Sequence, residues 1–204
     1  MTKHHPTVPW CRYADDGLAH CRTEQEARQL LAELKERFEK CKLELHPTKT
    51  KIIYCKDANR RENYPQTKLT FLGYTFRRRK VKIKTREGIF VGFTPAASEE
   101  AMKSMRARTR KMRIRHRTDL GLNDIATMCN PILRGWIEYY GCYTRSALYP
   151  VLTHFNKTLI AWAMRKYKKL KGHKMRASVF LMKIAERQPQ LFVHWNIGMR
   201  GGFA

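Results

Sequence analysis

The stretch RYADDGLAHC (residues 12–21) sets Asp15 beside Asp16 near the start of a chain with 42 Lys+Arg against 17 Asp+Glu. Carboxylates in contact repel, and each raises the pKa of the other unless a cation lies between them. The residues on either side predict two short strands, 10–14 and 18–21, with Asp15, Asp16 and Gly17 at or near a tight connection. Asp-Gly is a strong hairpin signal. On these residues alone the turn reads equally as a solvated reversal and as a pair of metal ligands.

Downstream, Thr23 followed by Glu26 is a capping box. Ala27, Leu30, Leu31, Leu34, Phe38 and Cys41 then recur at helical spacing, predicting a helix that ends near Lys42. His46-Pro47 breaks the chain, and Lys51 to Cys55 read as a β-rich run. Residues 56–67 are polar and loop-like. KLTFLGYTF (68–76) is the clearest strand, with RRRKVKIK (77–84) and IFVGF (89–93) as two more, joined near Glu87-Gly88. Residues 1–95 are therefore expected to form an α+β unit with a mostly antiparallel sheet.

After Thr94-Pro95 the pattern becomes helical. Ser98 caps a helix with Met102, Met105, Thr109 and Met112 on one side, and residues 103–117 hold eight Lys or Arg and no acid. Helical signals follow at 122–129 and 131–141, where Asn130-Pro131 reads as an N-cap with Pro at N1. A long helix is expected over 146–170, on the stripe Leu148, Val151, Leu152, Phe155, Leu159 and Trp162, and a short one over 176–187. Trp136, Tyr139, Tyr140 and Trp162 fall at helical spacing and are assigned to the core, Tyr139 with the weakest claim. Residues 96–204 thus read as an all-helical bundle with a basic surface.

The 204 residues are 43% hydrophobic, enough for a real core, yet the net charge of +25 far exceeds what solubility needs. Both halves share it: residues 1–97 hold 21 basic and 11 acidic groups, residues 98–204 hold 21 and 6. A field of that size points to a polyanion, nucleic acid above all. No apolar run is long enough to span a bilayer, and no signal-peptide core follows Met1, so no membrane role is expected. The six cysteines form no C-x-x-C pair and read as reduced thiols in a cytoplasmic protein. His4-His5 reads as an inert pair.

Tyr13-Ala14-Asp15-Asp16 on a hairpin resembles the Y-x-D-D motif of reverse transcriptases. LELHPTKTKIIYC (43–55) resembles the segment that follows the hairpin and its helix in those polymerases, and TFLGYTF (70–76) their next motif. NPILRGWIEYYGCY (130–143) and LIAWAMRKYKKLKG (159–172) resemble the maturase-specific domain of group II intron proteins. In this order, from about residue 8 to residue 198, the chain resembles a group II intron reverse transcriptase/maturase.

The resemblance implies an antiparallel-sheet palm remnant over 1–95, then an all-α thumb and maturase bundle over 96–204. It implies RNA-directed DNA polymerase activity using two Mg²⁺ ions, and intron RNA binding that promotes splicing and mobility. Asp15 and Asp16 would be the catalytic metal ligands, Tyr13 would line the primer groove, and Lys49 would sit near the nucleotide phosphates. Leu72 and Gly73 would support the primer end. For RNA binding the candidates are Lys103, Arg106, Arg108, Arg110, Lys111, Arg113, Arg115, Arg117, Arg134, Arg165, Lys166, Lys168 and Lys169. Partners would be group II intron RNA, primer–template nucleic acid and a deoxynucleoside triphosphate.

In the family the fingers and upstream palm, with a further metal-binding aspartate, precede the hairpin. Only eleven residues precede Arg12 here, none acidic. The expectation is the C-terminal part of a longer protein, not competent in synthesis alone and completed by a chain supplying fingers and palm. The alternatives are a non-catalytic RNA-binding splicing cofactor and a decayed fragment.

Overall fold

A computed structural model describes residues 5–60, 62–82 and 87–200; His4, Lys84 and the rest of 83–86 lie outside them. The fold is α+β, with two small antiparallel sheets and a helical part. The chain divides into two compact units, one of Met1–Phe71 and Arg77–Phe93, the other of Leu72–Phe76 and Thr94–Ala204. The second unit thus takes a short insert from within the first.

In the first unit, β1 (Trp10–Tyr13) pairs antiparallel with β2 (Asp16–Ala19). Helix α1 (Glu24–Lys40) follows, its N-cap Thr23 accepting from the Glu26 N–H at 3.1 Å. His5 Nε2 meets the Glu33 carboxylate at 2.7 Å and ties the start of the chain to α1. Among the described residues of this unit, only Val8 and Leu30 are buried.

Two expectations fail between α1 and residue 82. Lys51 to Cys55 form no strand; the backbone there is irregular, with Tyr54 N–H donating to the Gln66 carbonyl at 2.8 Å. Residues 68–76 are not one strand. The chain reverses at Leu72-Gly73 between β3 (Lys68–Phe71) and β4 (Tyr74–Lys82), and β5 (Ile89–Ala97) completes a sheet of order β3-β4-β5. Both turn residues have positive φ, 49° and 75°, the pattern of a two-residue type I′ turn.

In the second unit Ser98 caps α2 (Glu99–Lys111), its Oγ accepting from Ala101 N–H at 3.1 Å. Met105 and Thr109 are buried as the spacing predicts. Helix α3 (Leu122–Tyr140) runs unbroken through Asn130-Pro131, so Pro131 is interior and not at a helix start. Asn130 is needed elsewhere: its Nδ2 donates to the Leu191 carbonyl (2.9 Å) and its Oδ1 accepts from Val193 N–H (3.1 Å).

The long helix expected over 146–170 is three pieces: a 3-10 turn Arg145–Leu148, α4 (Tyr149–Lys166) and a 3-10 turn Lys168–Leu170. Helices α5 (Lys174–Arg187) and α6 (Val193–Asn196) follow. The core of this unit centres on Phe155, Trp162, Phe192 and Trp195, all fully buried. Within it, one Asn156 Oδ1 accepts from His194 Nε2 (2.7 Å) and Trp195 Nε1 (3.1 Å), while Asn156 Nδ2 donates to the Met199 carbonyl (3.1 Å). His194 is therefore neutral with its proton on Nε2, and burial pushes its pKa down to about 3.

Candidate metal hairpin and nucleic-acid interface

The ribbon register pairs Tyr13 with Asp16 and Arg12 with Gly17, so the loop is two residues, Ala14-Asp15. Asp16 opens β2, and Gly17 lies within the strand, one and two places beyond the turn. Ala14 carries φ 52°, a left-handed conformation that costs a residue with a Cβ roughly 1–2 kcal/mol. The turn is strained, and strain of this kind collects at functional loops. Directly paired residues share a face of the ribbon, so Tyr13 flanks the Asp16 carboxylate. Tyr13, Asp15 and Asp16 are all exposed. Two hard oxygen donors at an open tip suit Mg²⁺, which commonly takes one or two carboxylates and fills its other positions with water and phosphate.

Lys49 is exposed in the irregular segment after α1, its backbone N–H directed at His46 Nδ1 (3.4 Å). Among the described residues no hydrogen bond or ion pair joins it to Asp15 or Asp16.

The Leu72-Gly73 turn belongs to the second unit, and its carbonyls are engaged there. Tyr139 Oη donates to Leu72 O at 3.0 Å, and the Ser98 N–H donates to Gly73 O at 2.8 Å. Tyr74 Oη donates in return to the Tyr139 carbonyl. A Cβ on Gly73 would stand 2.7 Å from Tyr140 Oη. The close approach that requires glycine is therefore made by a tyrosine of the same chain. Burial, helped by Tyr139, pushes the buried Tyr74 phenol up to about 12. Trp162 is core as expected, Trp136 and Tyr140 are half-buried against the core, and Tyr139 is not core at all: it is 49% exposed.

The cations expected to bind RNA separate into two groups. Lys103, Arg108, Arg110 and Lys111 are exposed along α2, with Arg106 half-buried; Arg113 and Arg115 are exposed just after it. Arg134 on α3 and Lys168 and Lys169 after α4 are exposed as well. The remaining three are committed within the protein. Arg117 pairs with Asp119 at 2.9 Å, and Arg165 reaches His116 Nδ1 at 2.7 Å. Lys166 Nζ donates to the carbonyls of Thr118 and Leu120 at 2.9 and 2.8 Å. These three brace the loop before α3.

Two residues absent from the expected set lie beside it. His154 and Lys157 of α4 lie beside Arg106 and Arg110 of α2, close enough that these cations lower the His154 pKa after burial has done so. Their i, i+3 spacing puts them together on the face away from Leu152, Phe155 and Leu159, but nothing local ties that face to α2.

Two family models match the chain. Residues 1–76 match the reverse transcriptase (RNA-dependent DNA polymerase) model, and residues 102–179 match the group II intron maturase-specific domain. A comparison with curated proteins finds no match. A stretch matching the reverse transcriptase model and a stretch matching the maturase-specific domain, in that order in one chain, define the class. The chain belongs to the group II intron reverse transcriptase/maturase family.

Proposed function

We propose that the helical unit binds group II intron RNA through the cationic face of α2 and thereby promotes splicing. The observation that carries this reading is the run from Lys103 to Arg115, seven cations without an intervening acid, six of them exposed on α2 and the turn after it. Such a face repels itself unless a polyanion lies alongside. Each phosphate it neutralises releases counterions, contributing roughly −0.7 to −0.9 to the slope of log K against log salt. Replacing Arg108, Arg110, Lys111, Arg113 and Arg115 together by Gln should flatten that slope by several units while the circular dichroism of the helices is kept, since Arg and Gln have similar helix propensity. An unchanged slope would sink the reading.

The hairpin is proposed as part of the ligand set for RNA-directed DNA synthesis. Asp15 and Asp16 would hold Mg²⁺, which when bound neutralises charge on the attacking and leaving oxygens. Tyr13 would line the groove for the primer–template end, and Lys49 would sit near the phosphates of the deoxynucleoside triphosphate. Among the described residues no group of three or more His, Cys, Asp or Glu is placed to hold an ion, and on this reading another segment or a second chain would complete the set. The small core of the first unit supports this, since two buried aliphatic side chains contribute only about 3–6 kcal/mol. It equally favours a second reading, a non-catalytic RNA-binding splicing cofactor. Primer extension decides between them. The chain alone should incorporate no nucleotide. With fingers and upstream palm supplied in trans it should do so, losing activity in Asp15→Ala and less in Asp16→Asn. No recovery in the completed enzyme would leave the cofactor reading.

A further inference from the structure

We propose that the groove between α2 and α4 is a seat for a backbone phosphate of RNA, with the imidazole of His154 as its floor and Arg106, Arg110 and Lys157 as its rim. This rests on the RNA-binding reading and deepens it. Two open cavities of about 620 and 680 Å³ adjoin on this face, and His154 and Lys157 line both. Among the described residues no carboxylate lines either one. The cations therefore converge without a counter-charge from the groove itself.

The second observation is at His154 itself. Its Nε2 is shielded from solvent and has no hydrogen-bond partner among the described residues. Leaving a buried polar atom unpaired costs roughly 1–3 kcal/mol, and such an atom in a native structure asks for a missing partner. The hydroxyl protons nearby are already used: Thr158 Oγ1 donates to His154 O at 3.0 Å and Thr109 Oγ1 to Met105 O at 3.1 Å. The ammonium and guanidinium groups at the rim are donors only. A phosphate group, whose several oxygens only accept, would offer acceptors both to the imidazole N–H and to the rim cations, with a small side-chain shift to uncover Nε2. Charge-assisted bonds of this kind are about twice as strong as neutral ones.

The same geometry couples binding to a proton. His154 faces Arg106 and Arg110 from α2, Lys157 from its own helix, and Arg113, Arg115 and His116 from the segment after α2. Burial, and then Arg110, Arg106 and Lys157, hold its pKa below the ordinary histidine value. A bound phosphate cancels the field, favours the imidazolium and draws in a proton. By linkage, affinity then rises as pH falls, by at most tenfold per pH unit for one proton.

The test uses the full chain, a transcribed group II intron RNA and inorganic phosphate, with Kd measured from pH 8 to pH 6. Wild-type affinity should increase about threefold to tenfold more over that range than the affinity of His154→Gln. Lys157→Gln, on an exposed position, should lower the salt slope by about 0.7 to 0.9 without changing the unfolding midpoint. The His154 Hε1 resonance should move on adding the RNA. RNA binding with equal pH dependence in wild type and His154→Gln, and an unmoved resonance, overturns the seat while the RNA reading stands. A resonance moved by inorganic phosphate and not by RNA overturns RNA as the source of the phosphate. Absence of any RNA binding by the wild type overturns both.

Discussion

Gly73 shows how one atom can decide a turn. Its φ of 75°, and the 2.7 Å that would separate an added Cβ from Tyr140 Oη, leave no room for a side chain. Gly73→Ala should cost about 1–2 kcal/mol from the left-handed backbone alone, more with the clash, read as a lowered unfolding midpoint. Adding Tyr140→Phe should recover part of the loss, a coupling that a double-mutant cycle measures. His194 sets a pH limit in the same way. Its pKa is about 3 when folded and near 6.5 when unfolded. The unfolded chain therefore binds the extra proton first, and the stability present above pH 6.5 is lost as pH falls toward 3. The full loss is on the order of 4–5 kcal/mol. Thermal unfolding from pH 7 to pH 4 should show the helical unit failing steeply, and His194→Gln should have a lower midpoint at pH 7 with a shallower fall.

At the scale of elements, the internal bridge from α3 is the most exposed to test. Asn130→Ala removes the partners that its side chain gives Leu191 O and Val193 N–H, part-buried groups whose loss of a bond costs up to about 1–3 kcal/mol each. The midpoint should fall, and amide exchange at Val193 should accelerate ahead of that on α4. Asn130 also explains why the sequence pattern points the wrong way. Asn-Pro is a helix-start signal because Asn caps well and Pro lacks the N–H that a first turn leaves unpaired. Here the Asn side chain serves a distant loop and packing carries the helix through Pro131, information that no local pattern holds. Helices with ordinary caps, at Thr23 and Ser98, are legible for the opposite reason: the cap and the apolar stripe lie within one segment. The reversal at Leu72-Gly73 is masked because apolar residues continue on both sides of it. The candidate hairpin can be read from four consecutive residues. The groove cannot, because His154 and Lys157 acquire meaning only when α2 packs beside α4.

For the molecule as a whole, burial is divided very unequally. The helical unit buries Phe155, Trp162, Phe192 and Trp195 completely, while the first unit buries Val8 and Leu30 among its described residues. Trp162→Ala should cost about 3–5 kcal/mol, a large share of the roughly 5–15 kcal/mol of a typical domain. Far-ultraviolet melting should follow that loss in the helical unit, and hydrogen exchange should find the first unit opening at lower free energy throughout. The insert Leu72–Phe76 has a practical consequence for dissection. A recombinant fragment begun at residue 94 or later, the obvious place to excise the helical half, would omit Leu72, Gly73 and Tyr74. The Tyr139 hydroxyl, the Ser98 amide and the Tyr139 carbonyl would each lose a partner. Such a fragment should be aggregation-prone and should regain solubility when a synthetic peptide spanning 70–78 is added, the behaviour of a split protein complemented by its missing piece.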